Sequence, residues 1–530
     1  MTLARCAADV VADHVTLEVE CIDRMYLNVY QPRLQFVEGV VAFLRGHRGH
    51  QIASSALLEP ISREFIAAIY KFAAERGVPV IDFVKGQRKD DLAHQFLAEF
   101  DEPEGVLFVG RAQEKTRVFR TEKRRNPLTG ASYPWIVAAT AMVNHFYVYA
   151  VDADFGPFFI KFCSYFPYNA KLCINGNEWA KRQAATAGIG FEALDNGFAA
   201  CDDPARLQKL CDRLDPAKID RLARKWLKIL PHPYTPADRR AGYRYDISVL
   251  QAEFSLTQML DRPASGRVFF ETVIRENLDV GRPDRVSLIF DRRIHSGRWR
   301  PTVSRFRTRV FTQGVTPSLH VEYKHTTIKQ YHKEGRALRT ETTINDTRDF
   351  GIGKRLCNLP ALRKVGFSAN RRLLHAQTIS HDPIIGDTVF HHIHEPAIVD
   401  GQRIAGLRFG DRRVHALLAA ITINRLGPDG FSNRDLKALV AGYLGVDPAQ
   451  LSAGTTTYDL RRLRLHGLIE RIPHTHRYRP TPQGWRTAWF YHHAYNRFCR
   501  TGLAQIADPK TPTPLRHALD ELATHSGLTA

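Results

Sequence analysis

The sequence predicts a multidomain α/β protein with a β-rich segment. Three observations support this: a length of 530 residues, a composition of 44% hydrophobic and 25% charged residues, and a residue pattern that changes several times along the chain. Domains of soluble proteins usually hold about 100–150 residues, so this length predicts several of them. We place their boundaries at 1–135, 136–262, 263–410 and 411–500, followed by a tail at 501–530.

The balance of charge predicts a polyanionic partner. Lysine and arginine number 75 against 55 aspartate and glutamate, which gives a formal net charge of +20. Basic side chains that neutralise phosphates release condensed counterions, so DNA is the expected partner and RNA the next. The sequence shows no apolar run of membrane-spanning length, no signal peptide and no C-x-x-C pair among its eight cysteines. These features predict a cytoplasmic protein without membrane contact, and they predict no particular oligomeric state.

The first segment, 1–135, predicts a small α/β layer. Apolar residues at helical spacing predict helices at Phe65–Gly77 and Asp90–Phe100. Each is followed by a short apolar run that predicts a buried strand, at Val78–Val84 and Gly105–Gly110. The stretch Arg117–Gly130 is basic and rich in turn residues, and we expect it to be a linker.

The second segment, 136–262, predicts three strands, a helix and a fourth strand in that order. They fall at Val143–Val151, Phe158–Phe166, Ala170–Ile174, Glu178–Ala187 and Ile189–Leu194. This order resembles the RNase H-like core of transposases and integrases. Further helices are expected at Pro204–Leu214, Lys218–Leu230 and Asp246–Leu260.

The RNase H-like resemblance implies an acidic metal centre. Asp152 or Asp154 ends the first strand, and Asp195 follows the fourth within Leu-Asp-Asn-Gly-Phe. In that fold, carboxylates at these positions and one from a later helix hold divalent ions for phosphodiester chemistry. Glu253 is the matching residue of the later helix, and Mg²⁺ or Mn²⁺ is the expected ion. The alternative is that the aspartates only stabilise turns.

The third segment, 263–410, predicts a β-sheet and a rival site. Strands are expected at Val286–Phe290, Thr302–Phe311, Ser318–Tyr323, Thr326–Tyr331 and Ala337–Thr343. Tyr331, flanked by Lys329 and His332 and followed by Arg339-x-Glu341, resembles the nucleophile of replication initiators and relaxases. Such a tyrosine attacks a phosphodiester and forms a covalent DNA adduct. The alternative is an aromatic residue on an edge strand.

Three arginines of the same segment form a second possible contact with nucleic acid. Arg305, Arg307 and Arg309 alternate along one predicted strand and therefore share a face. This face either follows a phosphate backbone or is simply solvated.

The fourth segment, 411–500, predicts three helices and a hairpin. The helices fall at Val414–Ile423, from the N-cap Ser432 to Leu444, and at Thr455–Gly467. The motif LRRLRLHGLIERIPHTHRYRPTPQG resembles the winged-helix fold of bacterial regulators such as the MarR group. The resemblance implies that the third helix enters the major groove and that the hairpin contacts the backbone. The implied contacts are Thr456, Tyr458, Arg461, Arg462 and Arg464 on the helix, and His474, His476, Arg477 and Arg479 on the hairpin. The alternative is a solvated face or a protein contact.

Together these features predict a DNA-binding protein that processes phosphodiesters with bound metal, as a nuclease, transposase or recombinase. A non-enzymatic regulator and a tyrosine-dependent nicking enzyme are the alternatives. The stretches FGPFFIKFCSYFPYNAKLCINGNEWAKRQ, EALDNGF, LIFDR and KEGRALRTETTIN also resemble a widespread uncharacterised bacterial protein family. That resemblance implies no function.

Overall fold

The computed structural model describes residues 5–84, 86–261, 263–278, 280, 283–291, 307–313, 316–379, 390–399, 401–423, 430–507, 517 and 521. The chain divides into two compact units, Met1–His381 and Asp382–Ala530. The first unit is mixed α/β, and the second is helical with two small hairpins.

The N-terminal unit is built on one large sheet and two pairs of short strands. Its strands are β1 (Arg5–Cys6), β2 (Val15–Tyr30), β3 (Val80–Asp82), β4 (Gly105–Arg125), β5 (Ser132–Asp152), β6 (Gly156–Cys163), β7 (Ala170–Asn175), β8 (Phe191–Leu194), β9 (Gly197–Cys201), β10 (Asp246–Leu260), β11 (Arg307–Gln313), β12 (Thr316–Tyr323), β13 (Thr326–Lys333), β14 (Ala337–Ile344) and β15 (Thr378–Ile379). The large sheet has 11 strands in the order β11-β12-β13-β14-β10-β2-β7-β6-β5-β4-β3. Only its β3–β4 pair is parallel.

Helices surround this sheet. They are α1 (Ala7–Ala12), α2 (Val37–Ala42), α3 (Glu59–Glu75), α4 (Lys89–Ala98), α5 (Gly176–Thr186), α6 (Pro204–Cys211), α7 (Pro216–Ile229), α8 (Pro236–Arg240), α9 (Pro263–Glu276), α10 (Pro283–Phe290) and α11 (Leu359–Ala376), with short helical turns at Pro32–Leu34, Phe43–His47, Ser55–Leu58, Thr347–Phe350 and Leu356–Asn358. In the described part of the chain, no helix combines the length and apolar content that crossing a bilayer requires.

The two faces of the sheet differ in polarity. Directly paired residues of antiparallel strands share a face, and successive residues alternate between faces. On one face Leu172 and Phe254 are buried, and α11 packs there through Phe367, whose ring centroid lies 5.6 Å from that of Phe254. We call this the buried face. The opposite face, which carries Tyr26 on β2 and Glu253 on β10, is half-buried and polar, and we call it the open face.

Several predicted elements are confirmed, and three are wrong in type. The predicted buried strand Val78–Val84 is the short strand β3, which is not buried, and residues 302–306 of the predicted strand Thr302–Phe311 lie outside the described residues. The helices predicted near 65–77, 90–100 and 178–187 are α3, α4 and α5. The range Asp246–Leu260 is the strand β10 and not a helix, because β2 and β14 pair with it on both sides. A central strand buried on both faces loses the alternation that identifies a strand. Val286–Phe290 belongs to the helix α10, whose first residue is Pro283, a favoured residue in that position.

The third wrong prediction concerns the basic linker. Arg117–Gly130 is the end of a long hairpin, in which β4 pairs with β5 residue by residue as far as Arg125 and Ser132. The turn residues and charges of this stretch connect two paired strands, and they do not link two domains. Strands from the segments divided at 135 and 262 pair in one continuous sheet.

The C-terminal unit contains a helical core and two hairpins. Its elements are β16 (Ala397–Val399), β17 (Gln402–Ile404), α12 (Arg412–Ile423), α13 (Asn433–Leu444), α14 (Ala453–Leu465), β18 (Ile469–Arg471), β19 (Tyr478–Pro480), α15 (Pro482–His493) and α16 (Arg500–Ala507), with short turns at Pro448–Gln450 and Ala494–Cys499. The predicted helices and hairpin of 411–500 are thereby confirmed as elements. Ser432 caps α13 as expected and forms a reciprocal capping box with Asp435.

Candidate functional site

Strand β2 contains an extra residue where it pairs with β10, so that Asp23 and Arg24 together lie opposite Glu253. Such a β-bulge interrupts the alternation of side chains. Both charged residues therefore reach the open face, where Asp23 contacts Arg339 and Arg24 lines a cavity with Tyr26. A regular pleat would direct one of them into the apolar buried face.

Arg339 is the centre of a buried ionic cluster. Its side chain is 0% exposed, and it donates hydrogen bonds to Asp23, to Glu341 at 2.6 Å and to the carbonyl of Asn196. Asp23 also accepts from the amides of Asn177 at 3.3 Å and of Asn196. Burial raises the pKa of Asp23, but the charge of Arg339 and the hydrogen bond from Asn196 outweigh it, so the pKa is lowered. Asp23 is thus ionised at neutral pH.

Glu253 lies beside this cluster, and no cation among the described residues forms an ion pair with it. It accepts a hydrogen bond from the amide of Gln251 at 3.0 Å. Burial raises its pKa to about 7, and the negative charges of Asp23 and Glu341 add to the rise. A carboxyl group with such a pKa can both donate and accept a proton near neutral pH, which is the requirement for general acid–base catalysis.

Tyr331 is connected to the same cluster. Its hydroxyl donates to Oε1 of Glu341 at 2.9 Å, and the Nε of Arg339 donates to the same oxygen at 2.6 Å. Lys329 lies 4.1 Å from the centre of the tyrosine ring. Because β13 is flanked by β12 and β14, Tyr331 is on an interior strand, and its interpretation as an edge-strand aromatic is wrong. Burial and the negative charge of Glu341 raise the pKa of Tyr331 above its ordinary value, so the hydroxyl is protonated at neutral pH and Glu341 is placed to accept its proton.

A cavity of about 440 Å³ extends from the cluster over β2, β7, β6 and β5 beneath α4. Its wall is aromatic, formed by Tyr26, Tyr149 and Phe159. Charged or titratable side chains complete the lining: Arg24, Asp90, His94, Glu178, Lys181 and Asp195. This volume and mixture fall within the range of ordinary small-molecule pockets.

The predicted acidic residues are divided between two places. Asp152 is buried at the end of β5, where it accepts from Lys225 at 2.8 Å, from the indole of Trp226 at 2.9 Å and from the backbone of Asp154. Burial raises the pKa of Asp152, but these partners outweigh it and the pKa is lowered. Both its oxygens have partners, and Asp154 is an exposed turn residue, so at this end of β5 Asp152 stabilises the turn.

Asp195 and Glu253 do reach the open face. The other two predicted ligands, Asp152 and Asp154, do not line the cavity there. The predicted fourth strand, β8, pairs with β9 in a separate hairpin and does not join the large sheet. Asp195 lies in the turn of that hairpin and lines the cavity. Among the residues that the structure describes, no three His, Cys, Asp or Glu side chains are placed to hold one metal ion.

Of the five side chains predicted on α14, three are accessible. Thr456 and Arg462 are buried. The guanidinium of Arg462 donates to the carbonyl of Gly406 at 2.6 Å, within the same unit. They are corrections to the predicted DNA contacts. Tyr458, Arg461 and Arg464 are exposed.

The side chains predicted to contact DNA from the hairpin β18–β19 also differ in accessibility. His474 and His476 are exposed near its tip, and Arg479 is exposed but paired with Glu470 at 2.5 Å. Arg477 donates to the carbonyl of Gly430 at 2.7 Å, so it holds the hairpin against the preceding loop. In the N-terminal unit, Arg309 pairs with Glu322 at 3.3 Å, whereas Arg305 and the side chain of Arg307 lie outside the described residues.

Sequence reasoning missed Asp23 and Arg24. Their signal is the pair of adjacent charges within Val-Glu-Cys-Ile-Asp-Arg-Met-Tyr-Leu, where the alternation of a strand is broken. A charged pair at such a break is typical of a β-bulge that redirects side chains. Arg339 was noted only as a neighbour of Tyr331.

Comparison of the chain with models of protein families, with curated proteins and with solved structures finds no match. The candidate site therefore has to be interpreted from its own geometry.

Replacing Arg339 with methionine should destabilise the N-terminal unit by about 3–5 kcal/mol, because two buried carboxylates lose their counter-charge. Urea unfolding of the full chain, followed by circular dichroism, measures the loss. Arg120→Met is the matched control, since Arg120 pairs with Glu122 at 2.8 Å and both side chains are exposed, and an exposed pair contributes at most about 1 kcal/mol. Equal effects of the two changes would contradict the central role of Arg339.

Glu253→Gln should stabilise the protein in a pH-dependent way. The folded-state pKa of about 7 lies above the ordinary value of 4.5, so the folded protein binds more protons and the wild type loses stability as pH rises between these values. The variant lacks this loss. Its free energy of unfolding should therefore exceed that of wild type by on the order of 2 kcal/mol above about pH 7, and by little near pH 4.5.

The melting temperatures of Glu253→Gln and of wild type, measured across that pH range, check this expectation. Glu99→Gln, at an exposed carboxyl after α4, serves as control and should show the same small difference at every pH. A Glu253→Gln difference that is independent of pH would mean that this carboxyl titrates in its ordinary range.

Proposed function

We propose that the protein binds DNA through a winged-helix domain in its C-terminal unit. The observation that carries the proposal is the order of α12, α13, α14 and the hairpin β18–β19, closed by a backbone bridge. In this bridge Phe431 and Tyr478 exchange two hydrogen bonds of 2.8 Å. Helix α14 is then in the position of a recognition helix, and the hairpin in that of the wing.

The charge of the α14 surface supports the same interpretation. Its acidic residue, Asp459, is buried and accepts from Arg413 at 2.6 Å, so it adds no exposed negative charge. Arg461 and Arg464 remain exposed beside Tyr458. Two accessible guanidinium groups next to an aromatic hydroxyl can contact phosphates and base edges.

A second candidate function is favoured by the hydrogen bond from Tyr331 to Glu341. We propose that this pair, oriented by Arg339, cleaves a phosphodiester through a covalent phosphotyrosine. The Tyr331 oxygen forms a bond to phosphorus while its proton passes to Glu341, and the bond from phosphorus to one sugar oxygen breaks. Glu253 is the acid that protonates this leaving oxygen, because its pKa of about 7 keeps a large part of it protonated at neutral pH.

Metal-dependent cleavage remains a separate prediction. Asp195 and Glu253 are the two predicted ligands on the open face, and Mg²⁺ or Mn²⁺ is the ion that oxygen ligands favour. RNA stays a possible substrate in both mechanisms.

Arg461→Ala combined with Arg464→Ala should weaken binding to duplex DNA about tenfold or more, and the dependence of affinity on salt should become shallower by roughly one to two ions. Fluorescence anisotropy with a labelled duplex at several salt concentrations measures both. Arg486→Ala, at an exposed arginine of α15, is the control and should leave the affinity unchanged. Wild-type affinity and salt dependence in the double variant would contradict the proposed recognition helix.

Tyr331→Phe should abolish any covalent protein–DNA adduct, because it removes the attacking oxygen but keeps the ring. Labelled single- and double-stranded DNA and RNA, incubated with Mg²⁺, Mn²⁺ or EDTA and run on a denaturing gel, reveal the adduct as a slow band. Tyr443→Phe, at an exposed tyrosine of α13, is the control and should keep it.

The other bands on the same gel separate the alternatives. Cuts without an adduct that EDTA prevents would favour the metal-dependent enzyme. The absence of any product, with duplex binding intact, would favour a non-enzymatic DNA-binding regulator.

A further inference from the structure

The long hairpin β4–β5 ends in a segment that the proposed function does not use. Residues 145–152 of β5 pair with β6, but residues 132–144 pair with β4 alone. This end of the hairpin therefore extends beyond the neighbouring strand of the sheet. It carries large aromatic and basic side chains in exposed positions, which a purely structural hairpin does not need.

The aromatic residues form one group. Tyr133 and Trp135 are 40% and 43% exposed, and their rings meet edge to face with centroids 6.3 Å apart. The guanidinium of Arg124 lies 4.8 Å from the centre of the Trp135 ring, on the same face of the hairpin. Cation–aromatic contacts of this kind hold an indole in a fixed orientation while part of its surface stays open.

A cavity of about 260 Å³ lies next to this group. Trp135, Tyr133 and Pro134 form one side, and Val37, Val41 and Ile52 are among the apolar residues that complete it. The volume is below the roughly 300–1,000 Å³ of ordinary small-molecule pockets. It suits one flat aromatic group.

The charges around the cavity are mostly positive. Arg45 lines it, and Arg124 is exposed on the adjacent strand, on the same face as Trp135, while Lys123 and Arg125 are exposed on the opposite face of the hairpin. None of these four forms an ion pair with a described residue, whereas the nearby Glu122 is neutralised by Arg120 at 2.8 Å. Glu38 of α2 follows Val37 but does not line the cavity.

We propose that this end of the hairpin binds single-stranded nucleic acid, with one unpaired base in the cavity against Trp135 and the phosphates against Arg45, which lines the cavity, and Arg124, which lies on the Trp135 face of the hairpin. Aromatic platforms beside a row of cations are the usual means of holding single strands. A base inside a duplex is stacked on both sides and cannot enter the cavity. The site lies in the N-terminal unit and does not depend on the winged helix, so either proposal can fail alone.

The test compares the affinity of the full chain for a labelled oligothymidine with its affinity for a labelled duplex. Fluorescence anisotropy measures both. Trp135→Ala should weaken single-strand binding about tenfold, since it removes the ring on which one base stacks, and should leave duplex binding unchanged. Trp135→Phe should retain most of the single-strand affinity. Trp489→Ala, at an indole that is 47% exposed in the C-terminal unit, should change neither affinity.

Three outcomes would overturn the proposal. They are wild-type single-strand affinity in Trp135→Ala, equal losses of single-strand and duplex binding, and the absence of single-strand binding by the wild type. The third would point to a side chain of a protein partner as the occupant of the cavity.

Photo-crosslinking keeps the test decisive if Trp135→Ala does not fold. An oligonucleotide that carries a photoreactive thymidine should crosslink to the wild type within residues 123–135. Crosslinks confined to α14 and the hairpin β18–β19 would overturn the single-strand site while supporting the winged helix.

Discussion

The buried charge of Arg339 is the constraint on which the open face of the sheet depends. A guanidinium without solvent contact is stable only if carboxylates and carbonyls surround it. Asp23 from β2, Glu341 from β14 and the carbonyl of Asn196 meet this need. The same contacts join two strands of the large sheet to the turn of the β8–β9 hairpin. Without this cation, three neighbouring carboxylates would face one another in a medium of low dielectric constant.

The cluster gives its carboxylates different protonation states. Asp23, in direct contact with Arg339, has a lowered pKa, whereas Glu253, on the next strand and without such contact, has a pKa of about 7. Pairs of carboxylates whose environments separate their pKa values are a common basis for acid–base catalysis. The β-bulge in β2 is what brings the two side chains to the same face. It connects an irregularity of backbone pairing with the proposed chemistry.

The two proposed nucleic-acid surfaces use different physical principles. Helix α14 presents guanidinium groups on a rigid element, which suits phosphates and base edges in a groove. The end of the β4–β5 hairpin presents Trp135 beside a cavity and cations, which suits a base that has left its stack. An enzyme that nicks DNA needs both kinds of contact, since it must hold a duplex and also handle the strand that it opens. A net positive charge attracts the phosphates that both proposed surfaces would contact.

The sequence alone was sufficient for the features that local residues decide. The net charge of +20 follows from composition, and the helices of the C-terminal unit follow from apolar spacing and from caps such as Ser432 with Asp435. Tyr331 and Glu253 were also found from sequence, each for a separate mechanism, although the structure places both beside Arg339.

Only the tertiary structure decided which of these residues meet. Arg339 and Asp23 are separated by 316 positions along the chain, and β10 is a strand because β2 and β14 pair with it. Asp152 matched a metal ligand in sequence, yet Lys225 and Trp226 both donate to its Oδ2 and the backbone of Asp154 donates to its Oδ1. Burial and the identity of a partner depend on pairing between distant segments, and no local pattern of residues contains that information.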